Sequence, residues 1–435
     1  FLAMADLEAA AFDLIENGLE GFNHRYRDLR ESSRWATAGA FVVEGHPGHP
    51  DYLIAEIETG RGCAYRCSFC TEPLYGDPSF REVSDVVAEI SSLAEYGVKH
   101  VRLGRQADLL AFGGDGKAPN PDALRELYTG IRSAVPDLET LHLDNVNPVT
   151  IVEYPDRARD ALRIIARYNS PGDTAAFGVE SADPVVQDAN DLLVTAEEAF
   201  EAVEIVNEVG GWRPGEDPAG APSTDPAVPT GLPKLLPGIN FVHGLAGERP
   251  ETFEHNRQFL TDILEAGLML RRINIRQVMT FEGTDMGEAG ALLAAEHKDQ
   301  FRRYKRTVRE TIDRPMLERV APEGTVLPDV HLEYHDGGRT FGRQLGTYPL
   351  LVGLPGERPL GRRLDVVITD HGYRSVTGIP YPLDPNGASM DELTAIPGIG
   401  DATAGDIIVN RPYETLDSVP GNEVLAPYSK PFDAK

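Results

Sequence analysis

Six times between residues 51 and about 290, a short apolar run is followed by other chain that is mostly helical in pattern, and this alternation restricts the fold more than any other feature. The runs are LIAEIET (53–59), VKHVRLG (98–104), LETLHLDN (138–145), TAAFGVE (174–180), LLPGINFV (235–242) and RRINIRQV (271–278). Helical stretches at 80–97, 121–135, 156–168, 195–210 and 251–267 lie between them. In the first, Val83, Val86, Val87, Ile90 and Leu93 recur with the spacing of one buried helix face. Serial βα units require parallel strands joined by right-handed crossovers. The fold class is therefore α/β, and both a doubly wound sheet and a partial (β/α) barrel satisfy it. In either, chemistry sits at the carboxyl ends of the strands.

The rhythm breaks at 213–233, a stretch dense in Pro, Gly and Ala that reads as a surface loop. After it resumes and ends, HKDQFRRYKRTVRETIDRPMLER (297–319) reads as one basic amphipathic helix. Residues 324–378 are strand-like with turn signals at 336–338 and 355–357, which predicts a small antiparallel barrel. The expected units are an N-terminal helical extension (1–50, opening with the acidic helix 1–22), the βα unit (51–296), a basic helical linker (297–322), the small barrel (323–384) and a helical C-terminal unit (388–435).

Acidic residues number 69 against 41 basic ones, a net charge of −28. Repulsion of nucleic acid is one reading. Arginine carries most of the positive charge and the acids are spread evenly, which fits solvation in a cytoplasm of molar salt, as in halophilic archaea. There the Debye length is about 3 Å, and net charge says little about partners. No run of about 18 apolar residues is present, so no membrane partner is expected. An odd number of cysteines argues against a disulfide framework and for a reducing, cytoplasmic location.

All three cysteines fall within RGCAYRCSFCTEP, as Cys63-x₃-Cys67-x₂-Cys70, directly after the first strand. Three thiolates in one polar loop can converge on one centre. Zinc usually takes four tetrahedral ligands, and no histidine follows at zinc-finger spacing. A [4Fe–4S] cluster normally takes four cysteines, so three leave one iron open to a substrate or cofactor.

This spacing, with the aromatic Phe69 before the last cysteine, resembles the radical S-adenosylmethionine (radical SAM) superfamily. The resemblance covers roughly residues 50–290 and implies a partial (β/α)₆ TIM-like barrel, a [4Fe–4S] cluster on Cys63, Cys67 and Cys70, and S-adenosylmethionine bound at its open iron. GINFVHGLAGE (238–248) is similar to the glycine-rich fifth strand of methylthiotransferase and Elongator-type enzymes, which brings Asn240 and Gly244 to the cofactor. After strand 2 the family often carries Gly-Gly-Glu. Here Leu103-Gly104-Arg105-Gln106-Ala107-Asp108 stands instead, and Gly104, Gln106 and Asp108 are the corresponding candidates for the ammonium of the cofactor. Glu180 and Ser181, ending strand 4, are candidates near its ribose or carboxylate, with Arg276 on strand 6.

The strand-rich unit resembles the TRAM/OB-like barrel of tRNA-modifying enzymes, with Arg343, Arg362 and Arg363 as candidate backbone contacts. LTAIPGIGDATAGDIIVNR (393–411) resembles a helix-hairpin-helix, in which Gly398 and Gly400 would let amides approach a phosphate. The whole arrangement is similar to archaeal radical SAM proteins with a C-terminal helix-hairpin-helix. It implies an enzyme that modifies tRNA or another nucleic acid, supplied with electrons by a ferredoxin or flavodoxin. The alternatives are a radical enzyme acting on a small metabolite, whose tail serves assembly, and a redox-sensing iron–sulfur protein that binds nucleic acid. No catalytic side chain beyond the cofactor set is assigned.

Overall fold

The computed structural model describes residues 28–215, 231–281, 283–286 and 294–429. Six parallel strands form its centre: β1 Ala55–Glu58, β2 His100–Gly104, β3 Thr140–Leu143, β4 Asp173–Glu180, β5 Leu235–His243 and β6 Arg272–Gln277. They pair in sequence order, β1-β2-β3 and β4-β5-β6. The two halves meet through a parallel bridge between Asn145 and Ala176. A doubly wound sheet would reverse its strand order at a switch point; unbroken order is that of a barrel. Among the described residues no ladder joins β6 back to β1, so the barrel is partial.

Helices α1 Leu29–Ala38, α2 Val83–Glu95, α3 Pro121–Ala134, α4 Pro155–Tyr168, α5 Ala196–Gly210 and α6 Pro250–Glu265 accompany the strands. In α2, Val86, Ile90 and Leu93 are buried, and Val83 and Val87 pack against the same core. Helix α5 starts at a reciprocal cap in which Thr195 and Glu198 satisfy each other's backbone N–H. On the strands, the side chains of Val101, Leu103, Ile273 and Ile275 join this helix-facing core. Their alternates, among them Arg102, Arg272 and Asn274, face the lumen because successive side chains point to opposite faces.

The stretch expected to be one basic helix is helical without a gap from Lys298 to Val320, as α7 Lys298–Val308 and α8 Arg314–Val320 joined through a π-helical turn, Arg309–Asp313. Pro315 explains the π turn, since it has no N–H for the carbonyl four residues back. Nor is the segment merely a connector, because Tyr304, Val308, Ile312, Met316 and Val320 are buried in the main core.

Strands β7 Val326–Asp336, β8 Arg339–Arg343, β9 Leu351–Pro355, β10 Arg363–His371 and β11 Ser375–Pro380 close a barrel in the order β8-β9-β11-β10-β7. It is not wholly antiparallel, as the sequence suggested, for β9 and β11 run parallel. Gly337 and Gly338 both have positive φ, the conformation a two-residue β-hairpin demands. Two short helices, α9 Met390–Thr394 and α10 Asp401–Val409, form the C-terminal hairpin. Leu393, Ala404 and Ile407 of these helices and Ile396 of the turn between them share one core with Val326, Val367 and Ile379 of the small barrel, so the last two units are one body. The acidic helix expected over 1–22 and most of the 213–233 loop lie outside the described residues. Among the described residues no helix is long and apolar enough to cross a membrane.

The fully buried Leu103 should be a keystone of the larger core. Leu103→Ala is expected to destabilise by about 3 kcal/mol. Val409, 81% exposed on α10, should tolerate serine within about 0.5 kcal/mol. Urea denaturation midpoints check both.

Candidate active site

A short ribbon, Gly60–Arg61 paired antiparallel with Ser79–Phe80, closes the loop that follows β1. Residue 60 must be glycine, because a Cβ there would lie 2.7 Å from both the Phe80 ring and the Ser79 carbonyl. Gly62 has φ +83°, and a Cβ on it would meet the Asp77 carbonyl at 2.5 Å. Within the loop, Cys70 N–H donates to the Cys67 carbonyl at 3.0 Å, and Cys63 N–H to the Gly76 carbonyl at 3.3 Å. Asn190 clamps the loop from outside: Ser68 Oγ donates to its Oδ1 at 2.9 Å and Ser68 N–H to its carbonyl at 3.2 Å. Phe69 packs into a satellite apolar cluster with Val186, Leu245 and Met286, anchoring the loop rather than lining open space.

The three thiols are free and half-buried. Burial pushes the Cys67 thiol up to about 12, and the charges of Cys70, Glu180 and Cys63 add to the shift. Burial likewise raises Cys63, with Glu72 and Asp108 adding, and Cys70, with Cys63, Glu72 and Glu180 adding. Three thiolates beside carboxylates need a compensating cation. Among the described residues, no three Cys, His, Asp or Glu side chains converge closely enough to hold a single metal ion. A mononuclear site would place every sulfur about 2.3 Å from one point. Three thiols in one loop, in electrostatic reach of one another, suit a polynuclear centre with one thiolate per iron.

The candidates at the strand ends differ in what they can offer. Glu180 has φ +61° at a break in the β4–β5 register, a bulge that re-aims its side chain. Its Oε2 is shut off from solvent with no hydrogen-bond partner, and burial pushes the carboxyl up to about 8 against the pull of Arg276. Gly178 makes room for it, since a Cβ there would sit 2.8 Å from Glu180 Oε1. Gln106 is buried; its Oε1 accepts from Thr59 Oγ1 at 2.9 Å and its Nε2 has no partner. Asp108 accepts from Leu110 N–H at 3.0 Å and is pushed up to about 6 by burial. Gly104 lies at the end of β2, where a Cβ would strike the Glu56 side chain.

Arg276 is exposed on β6, and the Asn274 amide stands between it and Asn240, at 2.9 Å from Arg276 Nε and 3.1 Å from Asn240 Oδ1. Ser181 is engaged elsewhere, donating to Asn256 Oδ1 at 3.4 Å and accepting from Asp183 N–H at 3.2 Å. Gly244, φ +91°, donates its N–H to Glu248 Oε2 at 2.9 Å. Burial would raise the Glu248 carboxyl, but hydrogen bonds from His243, Gly244 and His297 hold it below the usual range. The structure thus gathers Glu180 with the cysteines, whereas Ser181 and Gly244 serve the turns that shape the rim.

Far from this mouth, Arg343 is paired with Glu333, and Arg363 with Glu139 at 3.0 Å. Arg362 is exposed, and among the described residues it makes no ion pair. Gly398 has φ +94° in the hairpin, and Gly400 starts α10 with open space beside it. Sequence reasoning missed Asn190 and Thr59, whose partners are distant in sequence, and the lumen arginine Arg102. The last left a signal: a charge set between Val101 and Leu103 in the apolar run VKHVRLG.

Residues 57–215 match the radical SAM superfamily. An uncharacterized protein of Methanocaldococcus jannaschii is 44% identical over 87% of this chain and 69% of its own length. The ribosomal protein uS12 methylthiotransferase RimO of Dechloromonas aromatica is 24% identical over 70% of this chain and 62% of its own. Among solved structures, the radical SAM methyltransferase TsrM of Kitasatospora setae, with cobalamin and a [4Fe–4S] cluster bound, overlaps 56% of this chain and 37% of its own at a TM-score of 0.38 and 20% identity.

Replacing Asn190 with alanine removes the clamp on the cysteine loop and leaves buried partners unsatisfied. It should cost about 3 kcal/mol and speed the reaction of the metal-free thiols with a disulfide reagent. Unchanged thiol reactivity would show that the loop holds its shape without the clamp.

Proposed function

The chain belongs to the radical SAM superfamily, and on that premise we propose that it is a radical enzyme acting on a structured RNA, with tRNA the foremost candidate. Cys63, Cys67 and Cys70 would hold a [4Fe–4S] cluster, which would supply the electron for reductive cleavage of S-adenosylmethionine and so the means of hydrogen abstraction from the substrate. A one-electron donor of the ferredoxin or flavodoxin class replenishes it. Glu180, carrying an acceptor with no partner, suits the ammonium or ribose hydroxyls of the cofactor. Arg276, exposed at the same mouth, suits its carboxylate. Gln106 offers a free amide donor.

The observation that carries the RNA reading is an aromatic platform on the small barrel. Tyr334 and Phe341 stack with centroids 5.2 Å apart and an interplanar angle of 13°. Tyr334 is exposed, and so are Arg339 on the same hairpin and Arg362 on the adjoining segment. A base can stack on such a pair whatever the salt, which suits a chain this acidic. Tyr52, just before β1, stacks on His331 at 4.1 Å, so the small barrel sits at the amino ends of the strands. The cysteines sit at the carboxyl ends. A five-residue strand spans roughly 17 Å, so a substrate touching both ends must be as large as a nucleic-acid arm. A base would have to leave its stack to enter the mouth.

Anaerobic reconstituted protein given dithionite and S-adenosylmethionine should release 5′-deoxyadenosine, and Cys67→Ala should lose both the brown chromophore and that product. No product from the wild type would end the radical reading. Tyr334→Ala combined with Arg362→Glu should weaken binding of total tRNA at least tenfold in a filter assay, each base stack being worth about 1–3 kcal/mol. Mass spectrometry of tRNA nucleosides from a strain lacking the gene should show one modification missing; a complete set would refute tRNA as the substrate.

A further inference from the structure

The connection between β8 and β9, residues 344–350, leaves the small barrel and enters the radical barrel from below. Its Thr347 N–H donates to His142 Nδ1 at 2.8 Å, and its Leu345 carbonyl accepts from Thr140 Oγ1 at 3.2 Å. The Tyr348 carbonyl accepts from Arg271 Nη2 at 3.1 Å, while Arg271 Nε donates to the Gly172 carbonyl at 3.2 Å. The loop is therefore tied to β3 and to the entrances of β4 and β6. Burial pushes the His142 imidazole down to about 3, so it stays neutral and its Nδ1 remains an acceptor for Thr347. Gly346 lets the loop approach this ring: a Cβ there would lie 2.8 Å from His142 Cε1.

Tyr348, at φ +52°, carries its ring into the lumen, where the Arg272 guanidinium lies 4.2 Å from the ring centroid. On the opposite wall its phenol is in electrostatic reach of Arg102, which is held by Asp144 and, at 3.5 Å, by Glu56. A cavity of about 310 Å³ lies beside the loop, lined by His142, Gly346 and Thr347 among others.

We propose that residues 344–350 are the floor of the reaction chamber, and that the small barrel contributes Tyr348 as a positioning residue that seals the base of the lumen and holds Arg272 in place. The chamber is then built by both barrels. The inference takes its chemical meaning from the radical reading, because a primary carbon radical must be kept from solvent and dioxygen entering behind it.

The test compares Tyr348→Ala, Tyr348→Phe and Gly346→Val in the full chain. Amide hydrogen exchange in residues 100–104 and 272–277, read on metal-free protein, should rise at least about fivefold in Tyr348→Ala, the factor that losing a cation–π contact carries. Gly346→Val, which wedges the loop off His142 without touching the lumen, should show the same rise. Tyr348→Phe keeps the ring and should stay within about twofold of wild type. Bleaching of the reconstituted chromophore in air should follow the same order. Unchanged exchange in both Tyr348→Ala and Gly346→Val would overturn the proposal, and a phenylalanine variant as leaky as the alanine would overturn the stacking role. Exchange is measured without the cluster, so a chain that failed to cleave S-adenosylmethionine would refute the radical reading and leave this one standing.

Discussion

Three thiols crowded against Glu180, Glu72 and Asp108 cannot all ionise unless something positive sits among them. Much of the surrounding structure follows from holding that unfavourable arrangement still. The ribbon at Gly60–Arg61, the tight backbone contacts at Gly60 and Gly62, and the Asn190 clamp all fix a loop in which burial disfavours the thiolate form. Arg61 donates to Glu58 at 2.8 Å and 2.7 Å, removing one more carboxylate charge from the entrance.

The parallel barrel places this loop at one end and the small barrel at the other. Had the second barrel merely been tethered, its contacts would be confined to surface ion pairs, which contribute little. Instead a whole loop is inserted, with backbone groups of residues 345–348 answering Thr140, His142 and Arg271. The hydrophobic union of the small barrel with the C-terminal hairpin extends this, making the last quarter of the chain one body seated on the base of the first barrel. Any macromolecule gripped by that body is held at a fixed offset from the cysteine mouth.

Much of the architecture was legible in the residue pattern. The six strands fall where the apolar runs stand, and the helix face of Val86, Ile90 and Leu93 is the one that the spacing marks. What misled were features that depend on neighbours. Pro315 puts a π turn inside an otherwise continuous helix, a local change that a basic amphipathic pattern conceals. Arginines that read as a basic island, Arg343 and Arg363, are committed to Glu333 and Glu139. Ser181, adjacent to Glu180, looked equivalent to it, yet the bulge turns one side chain toward the thiols while Asn256 and Asp183 occupy the other.

The sequence alone determined the βα order and the three-cysteine spacing, because hydrophobic period and ligand spacing are local properties that a few consecutive residues carry. Only the tertiary structure decided which polar groups meet around them. Ser68 finds Asn190 across 122 residues, and Thr347 finds His142 across 205. Such pairs obey no period, because one depends on how the first barrel closes and the other on where the second barrel comes to rest against it. The geometry of the chamber, its clamp above and its floor below, therefore exists only once the chain has closed on itself.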